Sequence, residues 1–530
     1  MSKDKQSKII SATEAIRLVK DGDVVGFCGA GGGITEPTQL ITALAKQFEE
    51  EAQPKDITII HTTGLGDRND RGLSPLAKKG LIKRIIGGHW AQSPRLSEMA
   101  ERNEIEAYNF PQGVICQLTR AAASKQPGIL THVGLGTFID PDQSGGRLNE
   151  KTQEELVSKQ QIDGKDYLYY QATPIDVAII RGTTADADGY ISMEDEIVYL
   201  DALILAQAAH NNGGKVIVQV QKVVKAGTLH PRQVKIPGFY VDAIVVDENQ
   251  SQLYVGGVNR FLSGDYTACV DSTELIALDQ RKVVGRRALF EISSGNVGNV
   301  GVGIADGIGI IAREEGLQDE FTLTVETGAV GGESAQGIFF GATLNSRALM
   351  DMPTQFDFYD GGGLDVCFLS FAEVDQMGNV NVHRFNGKIV GTGGFIDICQ
   401  NTKKVVFCGT LTAGGLKTAI DQQQLKVQQE GKFKKFIETV PEITFNGRDA
   451  IAREQQVFYV TERAVFQLTE EGVELIEIAP GVDLEKDILQ QMAFRPKISS
   501  DLRTMDARLF QPEVMGIKEE WLNNQLSATN

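Results

Sequence analysis

One carboxylate stands where chemistry would be expected. In Val325-Glu326-Thr-Gly328-Ala-Val-Gly-Gly332, Glu326 follows an apolar run that reads as a buried strand and enters a glycine-rich turn. In open α/β sheets ligands bind outside the carboxyl ends of the strands, and glycines let a ligand approach backbone amides closely. A carboxylate is ionised at pH 7, so it can attack a thioester or anhydride carbonyl without a neighbouring base. The alternative is structural: a strand-end acid that caps the next helix. A second cluster, Gly391-Thr-Gly-Gly394, precedes Phe395-Ile-Asp397 and can present amides to an oxyanion. It also fits a tight turn between strands, as does Gly361-Gly-Gly363 ahead of Asp365.

Other chemistries find less support. Gly26-x-x-Gly29-x-Gly31 matches the dinucleotide fingerprint, with Glu49–Glu51 about 20 residues on, where a ribose-binding acid would sit. A lone match of this kind is weak, and a charge run there fits a solvated helix end. The histidines (His61, His89, His132, His210, His230, His383) show no zinc-ligand spacing. No Gly-x-Ser-x-Gly elbow and no phosphate loop ending in Gly-Lys-Ser/Thr occurs. Cys367 and Cys408 lie in apolar strand patterns and read as core. A net charge of −18 argues against broad nucleic-acid or anionic-membrane binding. It leaves room for an anionic small molecule in a local cleft.

The elements that must position Glu326 follow from the pattern. Ser11-Ala-Thr-Glu14 is a capping box opening a helix. Asp23–Phe27 and Asp56–Ile60 read as buried strands, with a helix over about 38–48 between them. Continuous apolar strands alternating with helices give an α/β class with parallel sheets covered on both faces. Arg281–Arg287 opens a later helix, and the polar stretch Gly145–Asp166 reads as a surface excursion. At 530 residues, with 42% hydrophobic and 23% charged, the chain has ample material for at least two cores. Six scattered cysteines, no signal-peptide pattern and no long apolar run predict a soluble cytoplasmic protein with reduced thiols.

An internal repeat organises the whole. Asp176-Val-Ala-Ile-Ile180 and Asp186-Ala-Asp-Gly189 recur without a gap as Asp365-Val-Cys-Phe-Leu369 and Asp375-Gln-Met-Gly378. Upstream, Thr58–Gly64 aligns with Thr322–Gly328, and the turns Gly29–Gly33 and Gly295–Gly303 precede them in the same order. The expected organisation is a first α/β half over 1–250, a connecting segment over 251–277, a second half over 278–522 and a disordered tail over 523–530. Related halves put Thr62 where the second half has Glu326, so Thr62, Thr63, Gly64 and Leu65 are candidates to face the site.

Several motifs together resemble the family I coenzyme A transferases. Val325–Gly331 resembles their Glu-x-Gly motif, and Asn299-Val-Gly-Val-Gly-Ile304 their Gly-x-Gly-Ile segment. Gly391–Asp397 resembles Gly-x-Gly-Gly-x-x-Asp, Pro111-Gln112-Gly113 the Pro-Gln-Gly motif, and Gly29–Pro37 the glycine-rich turn ahead of a proline. The resemblance covers both halves and is strongest to the short-chain, acetate/propionate branch. It implies two related open α/β domains of the CoA-transferase (NagB/RpiA-like) type. By it, Glu326 is the nucleophile, while Gln112 and the amide of Gly393 or Gly394 form the oxyanion hole. Asn299, Val300, Gly301, Gly328 and Gly391 then contact coenzyme A. Thr327 stands where the succinyl-CoA:3-oxoacid branch commonly has Asn, which favours a simple short-chain acid over a dicarboxylate.

The reaction implied is ping-pong transfer through an acyl-glutamyl anhydride and a glutamyl-CoA thioester, with coenzyme A as substrate and no metal or redox cofactor. A homo-oligomer, dimer or tetramer, is expected, with no nucleic-acid or membrane partner. The alternatives are an acyl-CoA hydrolase on the same scaffold, a nicotinamide oxidoreductase using the Gly26–Gly31 loop, and a non-catalytic CoA-ester-binding regulator.

Overall fold

The structure, a computed structural model, describes residues 7–269 and 275–528. The capping box forms as expected at helix α1 (Ala12–Ile16): Ser11 Oγ accepts the Glu14 N–H at 3.2 Å, and Glu14 Oε2 accepts the Ser11 N–H at 2.9 Å. Strand β1 (Val24–Phe27), helix α2 (Thr38–Glu51) and strand β2 (Ile57–His61) follow. Beyond them lie β3 (Ile82–Gly87), β4 (Glu106–Asn109), α3 (Gln112–Ala123), β5 (Val177–Arg181), β6 (Lys215–Val220) and β7 (Ala243–Val246). These seven strands form one sheet in the order β7-β6-β5-β1-β2-β3-β4, parallel throughout.

The second sheet repeats this plan. After helix α4 (Gln280–Leu289) come β8 (Val297–Val300), β9 (Thr322–Thr324), β10 (Ala329–Val330) and β11 (Ala348–Leu349). Helix α5 (Met352–Asp360), β12 (Val366–Ser370), α6 (Phe395–Gln400), β13 (Lys404–Cys408) and β14 (Gln456–Val460) follow. The parallel run β14-β13-β12-β8-β9 matches β7-β6-β5-β1-β2 of the first sheet. Strands β15 (Ala464–Thr469), β16 (Gly472–Ile478) and β17 (Lys497–Thr504) extend it on one side.

The repeat reaches individual hydrogen bonds. Asp176 Oδ2 accepts the Val24 N–H and Asp365 Oδ2 accepts the Val297 N–H, both at 2.9 Å, tying equivalent strands in each half. Asp186 Oδ1 accepts the amides two and four residues on, and Asp375 Oδ1 does the same, all at 3.0 Å. The halves diverge beyond the second strand: β3 runs parallel to β2, whereas β10 folds back antiparallel to β9.

Successive side chains of a strand point to opposite faces, so the second sheet feeds two cores. Cys367 and Leu369 join the core shared with the first half, while Val366 and Phe368 pack on the other side with Val283 and Ile308. Cys367 and Cys408 are fully buried, as their strand patterns require. The shared core is continuous across both halves, with Val25 and Ile59 in the same cluster as Phe356 and Phe407.

Two surface expectations change form. The excursion near residue 145 ends in a hairpin, Val157–Ile162 with Lys165–Gln171, paired to Gly128–Thr131. The final helix α7 (Lys518–Ala528) runs through most of the segment expected to be a disordered tail. Thr529 and Asn530 lie outside the described residues, as do residues 270–274 of the expected connecting segment.

Candidate active site

Glu326 sits at a turn rather than at a helix start. The Val325 N–H donates to Ala329 O and the Gly328 N–H to Val325 O, both at 3.0 Å, so residues 325–328 join β9 to β10. No helix follows for the acid to cap, which removes the structural alternative. Gly328 makes the turn possible: its φ is +118°, and a β-carbon there would collide with the Met350 carbonyl. It forms the turn that carries Glu326 and is not among the residues that line the cavity beyond.

That cavity, about 330 Å³, opens at the carboxyl ends of strands from both halves. The first half contributes Gly31, Thr63, Gly64, His89 and Gln112, and the second contributes Gly301, Glu326 and the loop Gly391–Gly394. Leu369, Phe371, Phe395 and Ile398 give it an apolar wall. Glu326 is the one acid among the described lining residues, and no lysine, arginine or cysteine joins it. Burial pushes its pKa up to about 7, its own backbone N–H pulling the other way, and its buried Oε2 has no hydrogen-bond partner. A carboxylate so weakly solvated is a stronger base and nucleophile than one in water.

The two oxyanion candidates separate. Of the two alternatives, the Gly393 N–H is already donated to Gly88 O at 2.8 Å. The Gly394 N–H has no acceptor among the described residues and belongs to the cavity wall. Gln112 also lines the cavity, at the first position of α3. Asn109, fully buried, locks this corner: its Nδ2 donates to Gly87 O and Gly88 O at 2.8 and 2.6 Å, and its Oδ1 accepts the Thr392 N–H at 3.0 Å.

Asn299 and Val300 do not reach the cavity. Strand alternation turns them to opposite faces of a sheet covered on both sides: Asn299 Nδ2 donates to Thr324 O at 3.3 Å and to the Tyr359 hydroxyl at 3.2 Å, and Val300 is core. Asn299 thereby ties β8 to β9, while the Val300 side chain packs in the second core. Of the residues equivalent to the Glu326 turn, Thr63 and Gly64 face the site. Thr62 instead donates to Asp201 at 2.5 Å, and Leu65 is core. Glu49–Glu51 end α2 on the surface, with Glu51 paired to Arg17 and Glu49 to Lys78, far from a ribose-binding role.

Two residues enter that the sequence reading passed over, His89 and Gln92. Both line the cavity, and His89 Nδ1 and Gln92 Oε1 are buried without partners. Burial holds the His89 pKa near 4, so the imidazole is neutral at working pH. Their one signal was position: they follow Gly87-Gly88 at the carboxyl end of a buried strand. No group of three or more acids, histidines or cysteines suited to a metal ion exists among the described residues, nor does a helix long and apolar enough to cross a membrane.

The family model described as coenzyme A transferase matches residues 9–247. The acetate CoA-transferase YdiF of Escherichia coli K12 is 60% identical over 510 residues, 96% of each chain. The caffeate CoA-transferase of Acetobacterium woodii is 40% identical over 519 residues, 96% of this chain and 99% of that one. Among solved structures, an acyl-CoA transferase (YdiF) of E. coli O157:H7, in a thioester complex with CoA, superposes with a TM-score of 0.92 at 59% identity. That match covers 96% of this chain and 97% of the other. With full-length identity of this order, a matching fold and a cavity built at the strand ends of both halves, the chain belongs to the coenzyme A transferase family.

Proposed function

We propose that this enzyme moves coenzyme A between a short-chain acyl-CoA and a free carboxylic acid of the acetate type, with Glu326 as the covalent relay. The observation that carries the reading is a lone, poorly solvated carboxylate in a cavity also lined by Gly394 and by Gln112, whose Nε2 donates one hydrogen to Met352 Sδ at 3.2 Å and keeps a second. Relatives named acetate CoA-transferase, and one solved as a thioester with CoA, support the same chemistry.

In the reaction a Glu326 oxygen adds to the thioester carbonyl, and the carbon–sulfur bond breaks to give an acyl-glutamyl anhydride and CoA thiolate. The thiolate then attacks the glutamyl carbonyl, releasing the first acid as a carboxylate and leaving glutamyl-CoA. The second acid reverses both steps and leaves as its acyl-CoA, so no net proton is consumed. Each addition places negative charge on a carbonyl oxygen, and one preorganised donor there is worth about 2.7–4 kcal/mol. We assign that task to the Gln112 amide and the Gly394 N–H. The apolar wall limits access of water, which would hydrolyse the anhydride.

The acyl end favours an uncharged chain. A second carboxylate would need a cationic partner, and none of the described lining residues is a lysine or arginine. Thr327 also lines the cavity, but its hydroxyl hydrogen is already donated to Gly341 O at 2.9 Å and is not offered to a second carboxylate. We also read the enzyme as a cytoplasmic homo-oligomer. Phe239, 63% exposed, packs with Tyr240 and His210 in an apolar surface cluster that a second copy would cover, and light scattering gives the stoichiometry.

Mass spectrometry after incubation with acetyl-CoA, without an acceptor acid, tests the relay. A CoA adduct on the Glu326 peptide is expected, and Glu326→Ala abolishes both adduct and transfer. Rapid thiol release with no adduct would instead mark a hydrolase.

A further inference from the structure

The helix that carries Gln112 begins without a cap of its own. Its N-cap position is Pro111, which has no side-chain acceptor, so the amides of the first turn need acceptors from elsewhere. The Gln112 N–H is taken by Gly393 O at 3.1 Å. The remaining amides of the turn face Asp397, a fully buried acid on α6 of the second half.

The approach is close enough to dictate a neighbour. A β-carbon at residue 113 would lie 2.6 Å from Asp397 Oδ1, so the glycine of Pro111-Gln112-Gly113 is what lets the carboxylate reach the turn. Neither Asp397 oxygen closes a short hydrogen bond with any described group. The amides of Gln112, Gly113 and Val114 favour its charged form, but burial outweighs them and pushes its pKa up to about 7. Burying an acid in this way lowers stability, so its presence is not explained by stability.

The rest of α3 is held in the same manner. Gln117 Nε2 donates to Asp360 Oδ2 at 3.0 Å, and Arg120 pairs with Asp357. Helix α3 therefore belongs to the first half by sequence but rests on a row of acids from α5 and α6 of the second. Asp397 stands at the end of that row where Gln112 enters the cavity. The loop that precedes it in sequence, Gly391–Gly394, supplies the other donor.

We propose that Asp397 is a positioning residue for the transfer step, holding the first turn of α3, and with it the Gln112 side chain, over the carbonyl that Glu326 attacks. This rests on the donor role of Gln112 proposed above.

A double-mutant cycle separates the two ideas. Transfer from acetyl-CoA to propionate is measured for Gln112→Ala, Asp397→Ala, Asp397→Asn and Gln112→Ala/Asp397→Ala. Gln112→Ala is expected to lower kcat by about 10²–10³-fold. Asp397→Ala should lower kcat by roughly 10–100-fold, with the KM for acetyl-CoA within about threefold of the parent and no fall in Tm. Asp397→Asn, which keeps one carbonyl oxygen against the turn, should recover most of that loss. In the Gln112→Ala background Asp397→Ala should cost nothing further. Losses that multiply, or an Asp397→Ala enzyme of parental kcat, would overturn the inference while leaving Gln112 as donor. An unchanged kcat in Gln112→Ala alone would remove the donor reading and the inference with it. Should Asp397→Ala fail to fold, Asp397→Leu, of similar size but without an oxygen to face the turn, replaces it in the cycle with the same required non-additivity.

Discussion

Glu326 shows how far a single residue can be read from its neighbours in sequence. A strand, a glycine turn and an acid between them placed it at a site. Its ionisation could not be read in the same way, because enclosure by groups distant in sequence sets it. Ordinarily ionised well below pH 7, it has its pKa raised to about 7 by burial. Only the carboxylate attacks, so kcat/KM for acyl-CoA should fall as pH drops through about 7, approaching tenfold per unit below pH 6. Stability runs the other way. The folded pKa lies above the unfolded value of 4.5, so ionising Glu326 costs stability progressively from about pH 4.5 to 7. Glu326→Gln removes that cost. Its Tm should exceed the parent's above pH 7, by up to about 3 kcal/mol of stability, and the gap should close below pH 4.5. His89 and Gln92 were not legible for a related reason. Their position after Gly87-Gly88 at a strand end was the one local signal, and their unpartnered atoms acquire meaning only when the second half closes the cavity.

At the scale of elements the repeat was legible because its markers are polar residues with local duties. Asp176 and Asp365 each accept an amide from the neighbouring strand, and Asp186 and Asp375 each close a turn. The antiparallel reversal after Glu326 was not legible, because β10 is only two residues long and carries no strand-length pattern. That reversal rests on Gly328. Gly328→Ala meets both a left-handed φ of +118° and the Met350 carbonyl, so it should destabilise by about 2 kcal/mol or more and displace Glu326. A fall in Tm together with a kcat loss larger than any change in KM is expected, measured by thermal melts and steady-state kinetics. Asn299 and Val300 teach the complementary lesson. Their motif resembles a ligand-contacting segment, and alternation turns the two side chains to opposite faces of a sheet covered on both sides, so both are buried.

For the whole molecule, the two halves share one core and one cavity, and neither half encloses the site alone. They nevertheless differ at the equivalent strand end. Where the second half presents Glu326, the first has Thr62, its hydroxyl donated at 2.5 Å to the buried Asp201. A doubled scaffold thus keeps a single covalent seat, and the stoichiometry of labelling follows. Loading with excess acetyl-CoA in the absence of acceptor should saturate at one equivalent of coenzyme A per polypeptide, read as a single mass increment on the intact chain. In an assembly of any size, the number of loaded sites then counts the chains.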